Sequence, residues 1–156
     1  MRVINIGVHT VQKYQNPMCA CIGYFDGMHL GHQALVKATV ALAEKHNCES
    51  ALITFEPDPW VTIKGLKDVK HITTMRQRIN RAVELGIQNI IILDFDKEIS
   101  ELSPTDFIHK TLAKLNLKCI VCGFDFHYGL HGAGDCNTLK EETEYDVVVI
   151  DAVEDE

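Results

Sequence analysis

The chain has 156 residues, 46% of them hydrophobic and 24% charged, a balance that fits one soluble globular domain with a proper core. Fifteen Lys and Arg against 22 Asp and Glu leave a formal charge of −7, which argues against a general nucleic-acid or anionic-membrane surface and makes any anion site local. No apolar run approaches membrane-spanning length, and the opening Met1-Arg-Val-Ile-Asn-Ile6 lacks the pattern of a signal peptide, so a cytoplasmic chain is expected.

Strand and helix signals alternate along the chain. A short leading strand is expected near 2–8, then a buried strand over 18–23 carrying Met18-Cys-Ala-Cys-Ile22. Leu30, Ala34, Leu35, Ala38 and Leu42 have helical spacing and place a helix over 31–46, ending near His46-Asn47. Ser50-Ala-Leu-Ile-Thr-Phe55 reads as the next strand, and Glu56-Pro-Asp-Pro-Trp60 as a proline-stiffened exit from it. After an irregular stretch to His71, Thr74-Met-Arg-Gln77 is a capping box for a helix that stops at Gly86. Asn89-Ile-Ile-Ile-Leu93 follows as a strand.

Ser103-Pro-Thr-Asp106 supplies an N-cap, a first-position proline and a first-turn acid to a helix carrying Phe107, Ile108, Leu112 and Leu115. Strand Lys118–Cys122, a glycine-rich loop (Gly129, Gly132, Gly134), a short helix near 135–142 and strand Tyr145–Ile150 complete the order. Apolar strands separated by amphipathic helices predict an α/β fold: a parallel sheet of about five strands covered by helices on both faces, in a single domain. Ligands of such sheets bind beyond the carboxyl ends of the strands. The segments 23–32, 56–60 and 123–134 all fall there and are expected to share one crevice.

The most informative of them is Gly23-Tyr-Phe-Asp-Gly-Met-His-Leu-Gly-His32, where a strand hands over to a helix. The first N–H groups of a helix lack partners and its dipole favours negative charge there, so an anion such as phosphate is the natural guest. Gly27 and Gly31 allow close backbone approach, and His29 and His32 can donate to phosphate oxygens. Asp26 is read as holding the turn. Asp125, at a strand end, is either an Asx-turn residue or a group that orients a ribose hydroxyl or Mg²⁺. Phe55 and Trp60 offer faces for ring stacking, and Phe126 and Tyr128 are core residues or face the ligand. The six cysteines are read as core residues: Cys119 and Cys122 point to opposite strand faces and chelate poorly, while Cys19 and Cys21 share a face, so no metal site is expected from them.

The ten-residue segment resembles the His-x-Gly-His signature of the nucleotidylyltransferases. In its longer form it is similar to the adenylyltransferase (FAD synthetase) domain of bacterial bifunctional riboflavin kinase/FMN adenylyltransferases. Two further segments carry the likeness. Thr54-Phe-Glu-Pro-Asp-Pro59 matches the family's Thr-Phe-Glu-Pro-His-Pro except at Asp58, and Gly123-Phe-Asp-Phe-His-Tyr-Gly129 is similar to its Gly-x-Asp/Asn-Phe-x-Phe-Gly.

The resemblance implies a Rossmann-like fold and transfer of AMP from ATP to FMN, giving FAD and pyrophosphate, with Mg²⁺ accompanying ATP. It implies His29 and His32 as catalytic groups, and Gly23, Phe25, Asp26, Gly27, His29, Gly31, His32 and Asp125 around ATP. Phe55, Pro57, Asp58, Pro59, Gly123 and Phe126 fall to FMN. The family's downstream Ser-Ser-Thr-x-x-Arg helix start and its riboflavin kinase domain are not in these 156 residues, so a single adenylyltransferase domain is expected, as a fragment or a shortened homologue. The alternatives are another small-substrate nucleotidylyltransferase and a catalytically weak nucleotide- or flavin-binding fragment.

Overall fold

Strand β2 (Pro17–Ile22) has five consecutive buried residues, Met18 to Ile22, and a strand buried on both faces needs neighbours on both sides and layers above and below. A computed structural model of the protein, describing residues 2–24, 30–56 and 75–150, supplies them. The remaining strands are β1 (Arg2–Ile6), β3 (Glu49–Glu56), β4 (Asn89–Asp94), β5 (Asn116–Gly123) and β6 (Asp146–Ile150). They form one sheet in the order β1-β4-β3-β2-β5-β6, and every pairing is parallel. The expected parallel sheet is present, and the leading strand joins it at the edge beside β4.

Helix α1 (Leu30–Lys45) and helix α2 (Met75–Glu84) cover one face. There Leu35, Val36 and Ala82 pack with Cys21, Leu52, Ile90, Ile92 and Val121. The short helix α3 (Lys97–Ser100), helix α4 (Pro104–Lys110) and helix α5 (Cys136–Glu142) belong to the stretches that cover the other face. Phe107, Ile108, Leu112 and Leu139 pack there with Met18, Ala20, Ile22, Ile53 and Ile91. Alternate residues of each inner strand thus feed two separate cores. The cysteines follow this alternation: Cys119 lies on the α1 side and Cys122 on the other. Among the described residues, no helix is long and apolar enough to cross a membrane.

Local chemistry sets the helix ends. Ser103 caps α4 by accepting from the Asp106 N–H, with Pro104 in the first turn, as expected. That helix is shorter than its apolar pattern suggests. Thr111 leaves helical geometry with its hydroxyl on the Phe107 carbonyl, and Leu112–Lys114 continues as a 3₁₀ turn. The four-residue α3, capped by Asp96, was not expected, because so short an element shows no periodicity. The proposed cap residue Thr74 and the prolines of the 56–60 exit, Pro57 and Pro59, lie outside the described residues.

The 123–134 loop closes as a small hairpin. Tyr128 and Gly134 exchange two backbone hydrogen bonds, of 3.1 and 2.8 Å. A Cβ on Gly134 would lie 2.5 Å from the Tyr128 ring, so only glycine fits beneath it. Gly134→Ala is expected to lower stability by about 1–3 kcal/mol through overpacking, read from the urea midpoint. Asp135 caps α5, and its carboxyl is held below the ordinary value, first by the Thr138 N–H and then by the Thr138 hydroxyl. A carboxyl depressed in the folded state stabilises above its unfolded pKa and stops doing so as pH falls through the folded one. Asp135→Asn is therefore expected to flatten the acid limb of the stability profile, measured as denaturation midpoint against pH.

Candidate functional site

The chain reverses its direction of travel across the sheet at β2: β3 and β4 lie on one side, β5 and β6 on the other. Loops leaving β2 and β5 at their carboxyl ends must diverge, which opens a crevice between them. Gly23 and Tyr24 leave β2 on one wall, and Gly123 to Tyr128 leave β5 on the other. Helix α1 begins at Leu30, six residues after Tyr24, with no acidic residue in its first turn. Its positive end is therefore uncompensated by its own side chains.

The exit of β2 is pinned by its neighbours. The Gly23 N–H donates to the Ile53 carbonyl at 3.1 Å. The Tyr24 carbonyl accepts from the Thr54 hydroxyl and from the Arg78 guanidinium, each at 3.1 Å. Arg78 is only 6% exposed. It sits one turn before the fully buried Ala82 on the inward stripe of α2, while Arg76 and Arg81 face solvent. Across the crevice the Tyr24 hydroxyl donates to the His127 carbonyl at 3.3 Å. One residue thus ties together β2, β3, α2 and the loop after β5.

Aromatic packing backs this wall. The Tyr24 ring lies 5.1 Å from that of Phe55 and 6.4 Å from that of Phe126. Phe126 stacks on Tyr128 at 5.9 Å, and Phe55 meets Phe95 edge-on at 5.7 Å. Phe55, Phe126 and Tyr128 are buried, whereas Tyr24 is 41% exposed and presents the accessible face. The Tyr128 hydroxyl is enclosed without a hydrogen-bond partner among the described residues. Burial pushes its pKa up, with Glu142 and Asp135 adding to the effect.

The sequence-derived residues fall as follows. Gly23, Gly31, His32, Gly123 and Asp125 stand at the carboxyl end of the sheet, with Phe55 and Phe126 directly behind it. His32 lies in the first turn of α1, half-buried, with its Nδ1 atom shielded from solvent. Asp125 is exposed and bends back over Gly123, whose Cβ would stand 3.2 Å from the Asp125 Oδ1. Phe25, Asp26, Gly27, His29, Pro57, Asp58, Pro59 and Trp60 lie outside the described residues. Tyr24 and Arg78 were missed from sequence. Their roles run through a backbone carbonyl, and no residue spacing announces that.

Comparison with known proteins identifies the family. A family model described as FAD synthetase matches residues 11–156. A bifunctional riboflavin kinase/FMN adenylyltransferase of Listeria monocytogenes is 33% identical over 133 residues, 83% of this chain and 42% of that protein. The Bacillus subtilis protein of the same name is 33% identical over 86% of this chain and 43% of its own length. The chain spans less than half the length of these relatives. Among solved structures, a macrolide-efflux protein from Streptococcus pneumoniae superposes with a TM-score of 0.81 at 25% identity, covering 99% of this chain and 53% of that one. A universal stress protein from Archaeoglobus fulgidus shares the fold alone, with a TM-score of 0.53 at 12% identity over 87% of this chain and 93% of that one.

Because Thr54 and Arg78 serve the same acceptor, their removal should not be additive. Thr54→Val or Arg78→Met alone leaves the Tyr24 carbonyl bonded, whereas the double variant strands it. Loss of both is expected to exceed the sum of the single losses by about 0.5–3 kcal/mol, measured in a urea-unfolding double-mutant cycle.

Proposed function

The chain belongs to the FAD synthetase family, and from that premise we propose that it transfers AMP from ATP to the phosphate of FMN, giving FAD and pyrophosphate. The observation that carries this reading is the start of α1 at the crevice beside β2. Its first turn holds His32 and no acid, and the exposed Tyr24 ring stands at the exit of β2. That is an anion-binding helix end beside an apolar surface, the two requirements of a flavin phosphate meeting a nucleoside triphosphate.

In the reaction an FMN phosphate oxygen attacks the α-phosphorus of ATP. The new O–P bond forms as the bond to the β-phosphate oxygen breaks, and pyrophosphate departs with the electron pair. A phosphate monoester already carries about −1.5 to −2 charge near neutral pH, so the nucleophile needs no general base. The protein's task is alignment and charge neutralisation. The backbone N–H groups at the start of α1, with His29 and His32, hold the α- and β-phosphates and stabilise the charge that builds on the leaving group. Gly31 keeps the helix start accessible to the phosphate chain. The family resemblance also assigns Gly23, Phe25, Asp26 and Gly27 to ATP.

On the flavin side, Tyr24 supplies the exposed aromatic face, backed by Phe55 and Phe126. The family resemblance also assigns Gly123, Pro57, Asp58 and Pro59 to FMN. Mg²⁺, when bound, screens the triphosphate, and Asp125, an exposed oxygen donor at the exit of β5, fits the hard-ligand preference of that ion.

Incubation with FMN, ATP and Mg²⁺, followed by chromatography, is expected to yield FAD and pyrophosphate in equal amounts. His32→Ala should lower the rate by about 10²–10³-fold with an unchanged circular dichroism spectrum. Activity with phosphopantetheine or glycerol 3-phosphate in place of FMN would assign a different nucleotidyl acceptor. Binding of ATP and FMN without turnover would make the chain a binding module.

A further inference from the structure

A second cluster of chemistry-bearing side chains lies at the opposite end of the sheet. Cys19 of β2 is the register partner of Cys119 of β5, and Cys119 is the register partner of Asp146 of β6. Register partners on neighbouring parallel strands share a face at a spacing of about 4.8 Å. A register shift between Met18 and Cys19 brings this about: Met18 pairs with Leu117, but Cys19 pairs with Cys119, skipping Lys118. Cys19 and Cys119 pack together with Ala43, and Cys48 lies against the same cluster.

The end of α1 closes over the same face. Asn47 adopts a left-handed conformation with φ 54°, and the Cys48 N–H returns to the Ala43 carbonyl at 2.8 Å, an αL helix stop. That turn delivers His46 and Cys48 to the amino ends of β2 and β5. One ligand atom each from His46, Cys119 and Asp146 lies within 4.8 Å of the other two. Cys19 and Cys119 are buried, whereas His46 and Asp146 are exposed, so the group opens to solvent on one side.

We infer that this cluster is a binding site for a thiophilic divalent ion of the zinc class, with Cys119, His46 and Asp146 as ligands and the Cys19 thiol as the fourth. Two sulfurs, one imidazole and one carboxylate are the donor types such an ion takes in a tetrahedral site. At metal–ligand lengths of about 2.0–2.3 Å, tetrahedral donors stand about 3.5 Å apart. The spread seen here closes by small rotations of His46 and Asp146, both at the surface and so able to move. Burial raises the Cys19 thiol, with Cys119 and Cys48 adding to the effect, so the ion must displace protons from the thiols it takes. The bound ion would staple the end of α1 to β2, β5 and β6. A purely packing role accounts for Cys19, Cys119 and Ala43 as a small apolar cluster, but not for an imidazole and a carboxylate converging on the same thiol.

The test uses the full chain, reduced and freed of metal, titrated with Co²⁺ and with Cd²⁺. Thiolate-to-metal absorption is expected to saturate at one ion per chain, and added Zn²⁺ should compete it away. Cys136, whose thiol donates to the Gly123 carbonyl at 3.2 Å, belongs to a separate thiol pair, so Cys136→Ser, like His32→Ala, should leave this band intact. His46→Gln and Asp146→Asn alter surface residues and should fold. Each is expected to weaken binding at least about 10-fold, the lower end of what losing even an outer-shell partner costs. Cys119→Ser should weaken the band to that of one thiolate and lower affinity, and if that buried change prevents folding, the two surface variants decide. Absence of a thiolate band in the parent chain overturns the inference, as does a band of unchanged affinity in both surface variants.

Discussion

The rest of the molecule depends on the parallel pairing of β2 with β3 on one side and β5 on the other. That arrangement buries β2 on both faces, forces helices into two layers, and makes the loops after β2 and β5 part company. A crevice at the carboxyl edge is the expected geometric result of this reversal. Side chains then decide what enters. The start of α1 brings positive potential, and Tyr24 brings an exposed aromatic face.

Much of this was legible in the chain itself, because the signals were local. Ser103 and Pro104 fix where α4 begins, and Asn47 marks where α1 ends. Alternation along β2 and β5 correctly separated Cys119 from Cys122 and joined Cys19 to Cys21. Contacts between elements were not legible. The end of α4 depends on how Thr111 turns its hydroxyl back to Phe107, although the apolar pattern runs on to Leu115. Arg78 looks like one more cation on a basic helix until α2 is docked, when its position a turn before Ala82 sends it inward. Tyr24 sits inside a recognisable motif, yet its role as a cross-link appears only when the carbonyl of His127 is placed opposite.

The thiol cluster teaches the same lesson more sharply. Residues 19, 46, 48, 119 and 146 have no spacing that sequence reading would group. The one pair that looked like a chelate, Cys119 and Cys122, is split between the two faces. What assembles the real group is strand register, shifted by one residue at Lys118, together with the left-handed turn at Asn47. Opposite ends of the same three-layer architecture therefore present different side chains: Tyr24 and His32 at one rim, the thiols with His46 and Asp146 at the other.

The link from the Tyr24 hydroxyl to the His127 backbone has a thermodynamic corollary. A lip already laced to its opposite number has given up its hinge freedom during folding. A guest settling there does not have to immobilise that side chain, a loss that would otherwise subtract about 0.5–1.5 kcal/mol from its affinity. The lacing makes part of the cleft a preorganised receptor, whose entropy was spent before any visitor arrived.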